Sequence, residues 1–208
     1  MKRNSILAGL VVLVGVFMTA YVLQSSDTTD LVEDSLVRPY SPVIGPADAK
    51  VTLVEFIDPA CEACRAMYPY VKEILSENPE QIRLVIRYVD FHAQSKQAIE
   101  ILEAARKQNQ FSETLELLLG FQPVWAPHGH EGVDLWEILP RGNLDLSQAR
   151  VDVQSAEIAL RIAQDEQDRL ANGVKKTPGF FVNGKPLTIM HPDVLREMIA
   201  AELAASTL

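Results

Sequence analysis

The spacing of apolar and polar positions changes period several times along the chain, and each change predicts an element. Residues 51–57 are mostly apolar and β-branched, as in a strand buried on both faces. From 61 to 76 the spacing is helical, with Met67, Val71, Ile74 and Leu75 on one side. Pro69 falls inside this helix and predicts a kink. Asn78-Pro79 ends the unit, and 82–89 reads as a second strand. Ala98, Ile101, Leu102 and Ala105 mark a helix over 94–109, and Leu115, Leu118 and Leu119 another over 111–119. A loop rich in Pro and Gly covers 121–132, followed by a short apolar segment at 135–139 and a turn at 140–143. A long helix over 154–171 stacks Ile158 on Ile162 and offers Glu157–Arg161 and Asp165–Arg169 pairs at i,i+4. Asn172-Gly173 stops it. Strand character returns at 179–182, and the Asn183-Gly184 turn folds it into a hairpin with 185–187, where Pro186 suits an edge. Pro192 and Asp193 open a last helix with Leu195, Met198, Ile199 and Leu203 on its apolar face. The order is β-α-β, a helical block, then β-β-α.

The first 46 residues follow different rules. Lys2 and Arg3 precede an uncharged stretch from 4 to 26, apolar over 6–23, about eighteen residues long and so just able to cross a bilayer. Residues 1–23 are therefore expected to be a signal anchor, with a cleaved signal peptide as the alternative; Met18-Thr19-Ala20 is a poor cleavage site. Either reading keeps Lys2 and Arg3 in the cytoplasm and exports the rest. Residues 24–46 are polar, broken by Pro39, Pro42 and Pro46, and read as a tether. The domain is expected over 47–208, with its helical insert at about 92–173. That length is enough for one substantial core.

Charge narrows the partners. The chain has 28 acidic and 19 basic residues, a formal net charge of −9, with no compensating basic cluster. Nucleic acid is not an expected partner.

The chemistry is concentrated in Cys61 and Cys64, the only two cysteines of 208 residues. They follow the first strand directly and open the first helix. A helix N-terminus offers free N–H groups and partial positive charge, which favour a thiolate. Cys61, nearer the helix start, is the expected attacking thiolate; Cys64, one turn in, would resolve the mixed disulfide. A structural disulfide would close too small a loop to restrain the unfolded chain. Half a zinc site would need further ligands, and only His128 and His130 are paired candidates. Glu62, beside Cys61, opposes the helix dipole and is expected to disfavour the thiolate. Glu55 is a lone charge in an apolar strand, either facing solvent at a sheet edge or serving as proton acceptor for Cys64. His92 and His191 read as surface or capping residues, and Trp125 and Trp136 as packing residues.

The element order together with C-x-x-C at the first helix resembles the DsbA-like branch of the thioredoxin superfamily, over about residues 47–206. Phe56-Ile57-Asp58-Pro59 before the pair, Pro69 eight residues after Cys61, and Thr177-Pro178 before the hairpin carry the resemblance further. It implies an α/β thioredoxin-like fold with a helical insertion and thiol–disulfide exchange on exported polypeptides bearing thiols or disulfides. It also implies a cis Pro178, with Thr177 offering its backbone to a substrate strand, and Arg87 as the basic partner holding Glu55 behind the site. No metal, nucleotide or flavin is needed. Disulfide introduction, with a membrane redox partner, is the leading direction, despite Glu-Ala where strong oxidants of the family usually carry a His. A reductase or isomerase, or a non-catalytic binding or metal-handling protein, are the alternatives. An isomerase would call for a dimerisation module, and the tether before Ala47 looks too short to be one; a monomer is expected.

Overall fold

Val51–Ile57 (β2) is the centre of a five-stranded sheet in the computed structural model, which describes residues 35–205. The sheet order is β1-β3-β2-β4-β5, with β1 at Val43–Ile44, β3 at Ile82–Tyr88, β4 at Gly179–Val182 and β5 at Lys185–Pro186. β2 pairs parallel with β3 and antiparallel with β4. The β2–β3 crossover is α1, Glu62–Glu77, which runs through Pro69. β5 lies at the sheet edge, so Pro186 removes no hydrogen bond from an inner ladder. Asn183 and Gly184 both have positive φ, 46° and 78°, the backbone that a two-residue hairpin turn requires.

The helical block is α2 (Ser95–Lys107), α3 (Phe111–Gly120), two single-turn helices α4 (Gln122–Trp125) and α5 (Leu135–Ile138), α6 (Leu146–Asp152) and α7 (Ala156–Ala171). α8, Pro192–Ala205, closes the chain. The two faces of the sheet are unequal. Leu53, Ile57, Leu84 and Ile86 share the main core with α1, α2, α3 and α8, whereas Val54, Phe56, Val85 and Phe181 share a smaller core with Leu36 and Val174. Each such fully buried side chain contributes ~1.5–3 kcal/mol.

Two expectations change, and a third lies outside what the structure describes. The packed part of the chain reaches back before Ala47: Leu36 is buried, Arg38 makes a bidentate pair with Asp168, and β1 adds to the edge of β3. A two-residue strand is too short to leave a periodic signal. Glu157–Arg161 forms, but Arg169 pairs with Glu166, because Asp165 is drawn inward to Arg87. The signal anchor expected at 1–23 lies outside the described residues. Among the described residues no helix is long and apolar enough to cross a membrane.

Candidate active site

Cys61 is the N-cap of α1, which places its sulfur beside the free N–H groups of the first turn. Both cysteines are free thiols. Cys64 is fully buried, while Cys61 retains 9% of its surface. The Cys61 pKa falls to about 5, chiefly through a hydrogen bond from the Cys64 thiol and against the opposing effect of burial, with help from Thr177 and the Cys64 and Ala63 backbone N–H groups. Burial pushes the Cys64 thiol far above the ordinary range. One sulfur is therefore a thiolate at neutral pH and the other a thiol that donates to it.

The Thr177–Pro178 peptide is cis. The Thr177 carbonyl lies 3.4 Å from the Cys61 sulfur, where it accepts from the thiol when that is protonated. Beside it, a groove of about 410 Å³ runs along Val174, Pro178, Phe181, Leu187 and Met190.

Glu55 is fully buried on the central strand, not at a solvent-facing edge. Its two carboxylate oxygens have no hydrogen-bond partner among the described residues. Burial, and then the charge on Cys61, raise its pKa to about 8. Arg87 does not hold it. The guanidinium is equally buried but bonds Asp165 and Asp168 of α7, at 2.7 and 2.6 Å, and the carbonyls of Ser35 and Leu36. The cause is register: Glu55 lies beside Ile86 and Phe56 beside Arg87, so the two side chains leave opposite faces of the sheet.

Glu62 is more exposed than its position beside Cys61 suggests, with 55% of its side chain in solvent and His128 Nδ1 3.6 Å away. Cys61 is acidic despite it, because the groups that reach the sulfur are the Cys64 thiol and backbone N–H groups. His191 caps α8, its Nδ1 accepting from Asp193 N–H, and Trp125 is fully buried.

Two site residues escaped the sequence reading. Asp58 is buried at the end of β2, where Oδ1 accepts from Ala60 N–H and the Ser95 hydroxyl and Oδ2 from Phe91 N–H. His92 Nδ1 lies 2.7 Å from the same Oδ2. The carboxylate thus ties the loop before Cys61 to the loop after β3. Gln122 of α4 donates to the carbonyls of Pro59 and Cys61 at 2.7 and 3.0 Å. A carboxylate directly after a buried strand was a visible signal for Asp58; Gln122 offered none.

The comparisons with known proteins agree with this geometry. A family model described as Thioredoxin matches residues 38–201. The chain is 37% identical over 146 residues to Na(+)/H(+) antiporter NhaA 3 of Salinispora tropica, covering 69% of this chain and 22% of that protein. It is 29% identical over 143 residues to the antiporter NhaA of Herminiimonas arsenicoxydans, again 69% and 22%. The chain thus spans about a fifth of the length of these curated relatives. Among solved structures, a thioredoxin-like oxidoreductase from Silicibacter pomeroyi superposes with a TM-score of 0.69 at 26% identity, over 81% of this chain and 95% of that one. BdbD from Bacillus subtilis gives 0.68 at 22%, over 79% and 93%, and α-DsbA2 from Wolbachia pipientis gives 0.71 at 16%, over 88% and 97%. The last two speak to the fold alone. The chain belongs to the thioredoxin family, with a helical insert between the two halves of the fold.

Proposed function

We propose that the chain is a thiol–disulfide oxidoreductase that introduces disulfides into exported polypeptides, with Cys61 as nucleophilic and Cys64 as resolving sulfur. The observation that carries this reading is the asymmetry of the pair: an acidic, partly accessible Cys61 against a buried, neutral Cys64. A stabilised thiolate favours the reduced pair, so its disulfide is a stronger oxidant.

In that direction a substrate thiolate attacks Cys61 of the Cys61–Cys64 disulfide. The bond between the two cysteines breaks, a substrate–Cys61 disulfide forms, and Cys64 leaves with the electron pair and is protonated. Glu55, a buried acid that stays protonated up to about pH 8, is the proton donor we assign to that step, and the acceptor in reverse. A second substrate thiolate then attacks the substrate sulfur and releases Cys61 as thiolate. The substrate loses two electrons and the pair gains them; a membrane redox partner would remove them. Thr177 offers its backbone beside the sulfur, where an extended substrate segment gains affinity from main-chain hydrogen bonds. The uncharged stretch after Lys2 and Arg3 supports an extracytoplasmic, membrane-anchored location.

The test is oxidation of a reduced two-cysteine peptide by the disulfide form, wild type against Cys61→Ser, with the reduction potential measured in glutathione buffers. Oxidation by wild type alone, and a potential nearer roughly −120 mV than roughly −270 mV, supports an oxidase. A potential at the lower value would assign the reductase direction instead.

A further inference from the structure

Cys61 is the N-cap of α1, and its place over the first turn depends on the loop before it. Asp58 holds that loop through Ala60 N–H, and a second hold on the same loop comes from the helical insert. Gln122 is 1% exposed, and its helix is anchored by Trp125, which is fully buried and donates its indole N–H to the Leu118 carbonyl at 2.7 Å. The orientation of the Gln122 amide is not open. Arg65 Nε can only donate, and it reaches Gln122 Oε1 at 3.0 Å, so the NH2 group must face the loop. Nε2 lies 2.7 Å from the Pro59 carbonyl and 3.0 Å from the Cys61 carbonyl, which uses both of its hydrogens. The Cys61 carbonyl also accepts from Arg65 N–H at 3.1 Å, which closes a ring through Gln122, Arg65 and Cys61. A buried amide with every polar atom engaged holds one geometry.

We propose that Gln122 is a positioning residue for the nucleophile: by clamping the carbonyls on either side of Ala60, it keeps the Cys61 sulfur over the first turn of α1. The inference rests on the reading of Cys61 as the reacting thiolate. The helical insert then does more than cover the site, because it sets how well the backbone N–H groups of Ala63 and Cys64 reach the sulfur. Without the clamp the Pro59–Cys61 loop moves relative to α1, and the thiolate loses part of its stabilisation.

The experiment follows thiolate absorbance at 240 nm against pH for the reduced protein and for Gln122→Leu, which fills similar volume and cannot donate. Thermal unfolding of both is measured in parallel. Wild-type Cys61 is expected to titrate well below an ordinary thiol. In Gln122→Leu the midpoint is expected to rise by about one unit, a roughly tenfold smaller thiolate-to-thiol ratio below the midpoint. A variant that melts earlier but titrates like wild type overturns the proposal and leaves the nucleophile reading intact. A wild-type midpoint in the ordinary thiol range overturns both. Should Gln122→Leu not fold, the side-chain amide resonances of Gln122 in labelled wild type are followed through the same titration. They are expected to shift at the Cys61 midpoint, and resonances that stay flat through it overturn the proposal.

Discussion

Glu55 and Arg87 are buried ionisable side chains on adjacent strands, yet they stand back to back, the carboxyl group facing the main core and the guanidinium lying against the Phe56 ring at 5.5 Å. Each is therefore governed by its own face. Glu55 stands without a hydrogen-bond partner among the described residues, whereas Arg87 is saturated by two aspartates and two carbonyls. The first arrangement leaves a proton free to move; the second ties α7 and the N-terminal segment to the sheet.

Removing Arg87 is accordingly a stability experiment. Arg87→Met leaves Asp165 and Asp168 buried with a missing counter-charge, although Arg38 still reaches Asp168. The expected loss is about 3–5 kcal/mol in urea unfolding. Where the variant still folds, the Cys61 titration is expected to be unchanged, since Arg87 faces away from it. A shifted titration would show that the two faces are coupled.

Cys61 makes the reduced protein pH-dependent. Its folded pKa of about 5 lies below that of an unfolded thiol, so the folded state is favoured increasingly as pH rises from about 5 towards 9, and that contribution is lost as pH falls through 5. Reduced wild type compared with Cys61→Ala by thermal unfolding at pH 4.5 and 8 is expected to show a gap that opens at the higher pH. An equal gap at both would mean that the thiolate is not stabilised by folding.

Glu55 works with the opposite sign. Its pKa is raised to about 8 by burial, so its cost to the folded state appears as pH passes the ordinary carboxylate range and grows until about pH 8. Glu55→Gln is expected to be more stable than wild type at pH 8 by a few kcal/mol, and close to it at pH 4. The same variant is expected to slow turnover at Cys64 several-fold, read as the rate at which mixed disulfides form and resolve. Stability that changes while those rates do not would leave Glu55 a burial cost without a role in proton transfer.

Cys64→Ser separates the two sulfurs. It keeps the Cys61 thiolate but lacks the resolving thiol, so mixed disulfides with a substrate peptide are expected to accumulate and to be visible by intact mass. Cys61→Ser is expected to accumulate none, because Cys64 is fully buried and its thiol is held neutral. Trapping by Cys61→Ser instead would reverse the assignment.

The sequence by itself determined the elements and the closeness of the cysteine pair, because both are written locally. Helical spacing over 61–76, the apolar run at 51–57, the Asn183-Gly184 turn and a two-residue gap between cysteines need no distant information. The tertiary structure alone decided which charges meet. Whether Glu55 and Arg87 share a face depends on how β2 registers against β3, and a shift of one residue would have joined them. Arg87 finds Asp165 and Asp168 across 78 and 81 residues, and Gln122 finds Pro59 and Cys61 across 63 and 61. Such partners are chosen by packing: a buried polar group takes whatever complementary group the folded chain places within reach, and periodicity carries no trace of that choice.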